Sequence, residues 1–213
     1  MTIESGTDNW TNAPSPTPRP PPSGRALSSP FSIRFMRESP TRKPTRNLNP
    51  PRPKSTKKRK PRSVHLHNGC RDLSVPLADT RRVFHHLDNL AAWPVPEGEL
   101  SVAFLTREHM CRLHSDFLQD DSLTDVITFE GAPEAGLAGE ICVAPVQAHE
   151  FKGARRLPFA EELTLYLVHG YLHLAGLDDV DPTARKKMRA AERRAMDHLR
   201  AVDAIPRFNF RPG

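Results

Sequence analysis

The chain has no run of 18 apolar residues anywhere in its 213 positions, which excludes a transmembrane helix. Cysteine is scarce: Cys70, Cys111 and Cys142 stand far apart, and no C-x-x-C occurs. That spacing argues against a disulfide scaffold and a zinc ribbon, and for a reducing compartment. Each thiol reads as a small buried hydrophobe. Acidic residues are nearly missing from positions 1–62, where 14 Lys and Arg face 3 Asp and Glu, a net +11. From residue 63 onward the balance reverses to 17 against 22, a net −5. The overall +6 and the pI of about 9.5 therefore belong to the N-terminal part. A mildly acidic core attracts a polyanion only if its positive charge is concentrated locally or supplied from elsewhere.

Positions 1–62 also hold 13 of the 22 prolines. Stretches such as Pro14 to Pro22 cannot pack a core, so the segment reads as a disordered basic extension. Its run Lys57, Lys58, Arg59, Lys60 can grip nucleic acid without sequence preference or serve only as a solvated charge run. An Arg- and Ser-rich, acid-poor leader also fits an organelle transit peptide, although the prolines oppose the amphipathic helix such peptides form.

Residues 63–205 form the expected folded domain. Val64 to Asn68 alternates as a short strand whose His65 and His67 read as surface residues. Leu77 to Leu90 has helical periodicity, and Glu99 to Leu105 is a strand. Thr106 is placed to cap a helix to Phe117, on which His109 and His114 read as structural. Thr124 to Glu130 is a β-branched strand, Gly131 to Gly139 a hairpin-type loop, and Glu140 to Ala144 the returning strand. Pro145 to Arg156 is a helix. Thr183 to Arg200 closes the domain as a helix with Asp181 as N-cap, Pro182 at the first position, and Met188, Ala191, Ala195 and Leu199 toward the core. Its Lys and Arg residues read as a solvated face. Residues 206–213 read as a loose tail. The order predicts an α+β fold, one mixed sheet of about four strands covered by helices.

The centre of this arrangement is Glu161 to Asp179, EELTLYLVHGYLHLAGLDD. His169 and His173 are four residues apart on an apolar helix, so their rings share one face. The spacing alone is a weak motif. In an apolar helix, however, two imidazoles need partners, and a metal ion is one. Gly176 offers a helix stop, and Asp179 can swing back as a third ligand. Two His, one carboxylate and an open position for water is a catalytic zinc pattern.

HGYLHLAGLDD resembles the H-G-x-L-H-L-x-G-Y-D-H signature of the YbeY family of metal-dependent endoribonucleases. Leu113 to Phe129, LHSDFLQDDSLTDVITF, resembles the family's L-N-x-x-Y-R-x-x-D-x-P-T-D-V-L-S-F segment, and GEICVA at Gly139 to Ala144 resembles its G-D/E-I-x-I strand. The likeness spans roughly residues 63 to 205. It implies one Zn2+ on His169, His173 and Asp179. It also implies single-strand-specific cleavage of RNA in ribosomal RNA processing, at the 3′ end of the small-subunit RNA, with a part in ribosome quality control. The small ribosomal subunit is the implied partner and the cytoplasm the implied location, or an organelle if the extension is a transit peptide. Thr124 and Asp125 would shape the metal cleft or support its ligands; an Asp that only hydrogen-bonds the loop backbone is an equal alternative.

Two departures from the pattern have chemical consequences. Asp179 stands where the family has its third His, which lowers the formal site charge from +2 to +1 and weakens the Lewis acid. Leu118 stands where the family has an Arg that could hold a phosphate. Gly170 occupies the position of the H-E-x-x-H glutamate, which closes the peptidase route, and is expected to leave room at the metal. Asp178 and Asp125 are the candidate catalytic carboxylates. The alternatives are a non-catalytic, metal-containing ribosome-assembly factor and a metal-dependent hydrolase of a small molecule or peptide.

Overall fold

The computed structural model describes residues 62–151 and 157–212. The N-terminal extension, with Lys57, Lys58, Arg59 and Lys60, lies outside the described residues. Arg62, at the end of that basic run, belongs to the folded domain. Its guanidinium grips Asp88 at 2.6 and 2.8 Å and donates to the Pro96 carbonyl at 3.1 Å.

The chain runs through β1 (Val64–Asn68), a short β2 (Leu73–Ser74), α1 (Leu77–Leu90), β3 (Glu99–Phe104) and α2 (Arg107–Leu118). It continues through β4 (Val126–Glu130), a 3-10 turn (Pro133–Ala135), β5 (Leu137–Val143) and α3 (Pro145–Glu150). α4 (Phe159–Leu174), α5 (Pro182–Ala201) and a short β6 (Asn209–Phe210) complete it. The fold is α+β. The main sheet has the order β1-β3-β5-β4. β1, β3 and β5 are parallel, and β4 joins β5 antiparallel. A parallel neighbour requires a crossover, which α1 supplies between β1 and β3. The antiparallel pair needs only the short turn between β4 and β5.

Strand residues alternate between two cores, as a pleated strand requires. Val102, Phe104, Ile141, Val143 and Val126 join the large core with α1, α4 and α5. Ala103, Cys142 and Ile127 join the smaller core with Met110 of α2. Helices thus cover both faces. Cys70 and Cys142 are buried; Cys111 is partly exposed, unlike the sequence expectation. Burial, helped by Asp72, lifts the Cys70 thiol to about 11. Burial, helped by Glu140, lifts Cys142 to about 12. Both stay protonated and inert at neutral pH.

α4 is apolar on every side, and each residue from Glu162 to Leu174 is buried. A helix of that kind has no solvent face. It packs on β4 and β5 and beside α5. Gly170 explains how closely it can approach. A Cβ there would lie 2.6 Å from Ile141 Cγ2 and 3.2 Å from the Cγ2 atoms of Thr128 and Val126. The missing side chain thus makes room for the sheet, not for a ligand at the metal site, contrary to the sequence expectation. Because Ile141 is β-branched and held in a strand, it yields poorly. Gly170→Ala gains about 1 kcal/mol of helix propensity but overpacks the helix–sheet contact by about 1–3 kcal/mol. Stability is expected to fall by about 1 kcal/mol, read as a lower urea midpoint; a raised midpoint would refute this packing account.

Gly176 ends α4 at φ +87°. Its N–H donates to the His173 carbonyl at 2.8 Å, and the Leu177 N–H donates to the Leu172 carbonyl at 3.0 Å. These two bonds form a Schellman motif. Asp181 caps α5 as expected, accepting from the Thr183 and Ala184 N–H groups at 2.7 and 2.9 Å. Met188, Ala191, Ala195 and Leu199 are buried along α5.

The last residues are not a loose tail. Phe208 is buried against Phe104, with ring centroids 5.7 Å apart. Phe210 stacks on Phe159 at 5.6 Å, and β6 pairs with β2. Two-residue strands show no alternation in sequence, so this small sheet left no periodic signal. Strand ends also shift. β4 begins at Val126 rather than Thr124, because the Asp125 side chain takes up the Val126 N–H at 2.9 Å. β5 begins at Leu137, where pairing with β3 extends into the expected loop. α3 ends at Glu150; residues 152–156 of the longer expected helix lie outside the described residues.

Candidate metal centre

α4 places His169 and His173 on its buried face toward α5. The loop after the Schellman turn brings Asp179 back to them. One donor atom from each of the three lies within 4.8 Å of the others, and among the described residues no other such group occurs. The two Nε2 atoms are 3.1 Å apart. Asp179 Oδ2 is 3.9 Å from His169 Nε2, and Asp179 Oδ1 is 4.0 Å from His173 Nε2. All three residues are buried, with His173 fully so.

One residue of the site was not singled out in the sequence. Glu192 of α5 is buried, and its Oε1 lies 2.6 Å from His169 Nδ1. A carboxylate can only accept there, so Nδ1 carries the proton and Nε2 keeps its lone pair for a cation. The signal was present: Met188, Glu192 and Met196 recur every four residues on an otherwise apolar stripe, and a Glu in such a stripe is rarely buried without a partner.

Burial, helped by His169, lowers His173 to about 3, with a backbone hydrogen bond at Leu177 acting the other way. The ring is therefore neutral at pH 7. Burial raises the Asp179 carboxyl; His169 opposes this, and Asp178, Asp125 and Glu192 add to it. Burial also raises Asp125, against a pull from His169. Two imidazole nitrogens 3.1 Å apart stand among buried carboxyl groups. A divalent cation matches these nitrogen and oxygen donors. The residues fit a metal ion. Glu192 and Asp125 add two further buried carboxyl groups beside the three ligands.

The two candidate catalytic carboxylates differ. Asp178 is exposed, and its Oδ1 accepts from the Asp179 and Val180 N–H groups at 2.7 and 3.3 Å. It fixes the loop that presents Asp179. Asp125 is buried and couples electrostatically to both His169 and Asp179. Its Oδ1 accepts from the Thr124 hydroxyl at 3.2 Å and from the Val126 N–H at 2.9 Å, the latter being the backbone bond of the alternative reading. Leu118 is buried at the end of α2 and brings no charge. The remaining singled-out histidines stand apart from the centre: His65, His67 and His109 are exposed, and buried His114 bonds the Ser122 carbonyl at 2.7 Å.

The sequence model of the family described as Endoribonuclease YbeY matches residues 68–200. The chain belongs to the YbeY endoribonuclease family. An endoribonuclease YbeY of Protochlamydia amoebophila is 40% identical over 110 residues, 49% of this chain and 73% of the relative. Another, of Chlamydia abortus, is 32% identical over 156 residues, 70% of this chain and 98% of the relative. The solution structure of a Thermotoga maritima protein aligns with 66% of this chain and 94% of that one, at 21% identity and a TM-score of 0.47. The YbeY family consists of metal-dependent endoribonucleases, hydrolases acting on RNA, and the His169, His173 and Asp179 group is where this member can hold its ion.

Proposed function

We propose that this chain is a single-strand-specific, metal-dependent endoribonuclease acting on ribosomal RNA, at the 3′ end of the small-subunit RNA and in ribosome quality control. The observation that carries this reading is the convergence of two imidazole nitrogens and one carboxylate within 4.8 Å, in a chain of this family. Zn2+ suits two nitrogens and one oxygen with a position left for water. When bound, it would acidify that water and polarise a phosphodiester oxygen.

The chain's own residues have separable parts. Glu192 fixes the His169 tautomer, Asp178 holds the loop, and Asp179 adds the third ligand. Asp125, buried beside the pair, is the better candidate to accept a proton. Both carboxyl groups accept backbone N–H bonds, but Asp178 is exposed. Lys57, Lys58, Arg59 and Lys60 supply positive charge for RNA phosphates. The expected location is the cytoplasm, or an organelle if positions 1–62 act as a leader. Leu118 favours a second reading, an assembly factor that keeps the metal for structure, since it offers a phosphate no charge.

The test is metal content by mass spectrometry on purified wild type and Asp179→Ala, with cleavage of matched single-stranded and duplex RNA and of small-subunit RNA carrying an unprocessed 3′ end. About one zinc per chain, lost in the variant together with single-strand cleavage, supports the reading. Metal without cleavage favours the assembly factor. Wild type that holds no metal when offered zinc refutes the site.

A further inference from the structure

α5 carries 7 Lys and Arg against 2 acidic residues. Outside it, residues 63–213 hold 10 against 20. The core's positive charge is therefore concentrated on one helix, the helix whose Glu192 also supports the metal centre.

Some of these cations already have neighbours that occupy them. Arg200 pairs with Glu161 and Asp197. Arg194 lies over the Trp93 ring at 5.5 Å. Arg185 and Lys187 form no ion pair among the described residues, but they lie near Asp181, the helix N-cap, and act on it only at long range. Lys186, Arg189 and Arg193 are exposed, and among the described residues none of the three forms an ion pair. Spaced by three and four residues, they form one stripe, about 10 Å long at the α-helical rise. Arg189 and Arg193 flank Glu192 in sequence, so the stripe runs beside the residue that holds His169.

The stripe does not serve the helix. Like charges at such spacing repel. The apolar side of α5 is spent on the core through Met188, Ala191, Ala195, Met196 and Leu199, which leaves nothing to insert into a lipid surface. A row of unneutralised cations beside a phosphodiester-cleaving centre matches a chain of phosphates. We propose that Lys186, Arg189 and Arg193 form a track for the sugar–phosphate backbone of single-stranded RNA at the metal centre. This rests on the endoribonuclease reading above. It also gives this chain a source of phosphate attraction despite Leu118 and a net acidic core.

The test compares full-length, metal-loaded wild type with Lys186→Gln/Arg189→Gln/Arg193→Gln. The substrate is an unstructured oligoribonucleotide, and kcat and KM are measured across a potassium chloride series. Each phosphate contact to a single strand contributes about 0.7 to the slope of log affinity against log salt. The triple variant should therefore lose about 2 units of slope. At ~0.1 M salt kcat/KM should fall about 100-fold, through KM, with kcat and metal content retained. A second variant, Arg71→Gln/Arg207→Gln/Arg211→Gln, removes the same charge near β2 and β6, at the Phe159 end of α4. It should leave the slope nearly unchanged.

Equal losses in both variants would mean that net charge matters and the stripe does not, and would overturn the proposal. Wild-type-like KM and slope in the first variant would overturn it while leaving the nuclease reading intact. Charge-dependent pelleting with phosphatidylserine vesicles, with RNA kinetics unchanged, would overturn it in favour of a membrane surface. Wild type that cuts no RNA would remove both readings together.

Discussion

His173→Ala should abolish metal retention and lower RNA cleavage by on the order of 10³-fold or more, the equivalent of about 4 kcal/mol of transition-state stabilisation. His173 is fully buried, and its Nε2 is 3.1 Å from the other imidazole donor. Its loss leaves one nitrogen and one carboxylate, too few to hold a catalytic zinc. The variant also removes a buried ring and creates a cavity, so its fold must be monitored separately. The discriminating readout is metal content in protein with wild-type far-UV circular dichroism. Folded, metal-free and inactive protein fits the assignment. Folded protein that still holds one ion per chain would move the metal elsewhere.

Glu192→Ala should weaken metal binding about 10- to 100-fold, the usual consequence of losing the carboxylate behind a ligating His. Without its acceptor at 2.6 Å, the His169 Nδ1–H is buried and unpaired, which costs roughly 1–3 kcal/mol. The ring can then shift its proton to Nε2 and present no lone pair to the ion. Glu192→Gln separates the two effects, because a Gln carbonyl still accepts from Nδ1 but carries no charge. Competition with a zinc-sensing dye measures both affinities. An alanine variant with wild-type affinity would show that α4 alone fixes the ring. A glutamine variant as weak as alanine would show that the charge, not the tautomer, matters.

Much of the fold could be read from local pattern. Apolar residues at helical spacing marked α1, α4 and the core side of α5, and β-branched alternation marked β4. Cap chemistry placed Thr106, Gly176 and Asp181 correctly, because a capping side chain or a positive-φ glycine bonds only its nearest neighbours in the chain. What escaped depends on distant partners. β2 and β6 exist because Phe208 and Phe210 pack on Phe104 and Phe159, and two-residue strands have no period to detect. The contact of Gly170 with Ile141 joins a helix to a strand, so sequence suggested an open cleft where there is tight packing. The metal group was legible because its residues are close in sequence and match a family motif. Glu192 lies 23 residues from His169 and enters only through the pairing of α4 with α5.

The end of α4 has a consequence for how the site is assembled in time. All three donors come from the eleven residues His169 to Asp179. Closing them on an ion requires loops of only four and six residues, and the entropy lost in closure grows with loop length. A helix and its Schellman turn can therefore bring the donors together before the parallel strands, whose partners are far apart in the chain, have found one another. The rest of the domain then acts on a centre already assembled, drying it and setting Glu192 and Asp125 around it. During synthesis the ion can be captured early, and the stability it adds is available while the slower sheet is still forming.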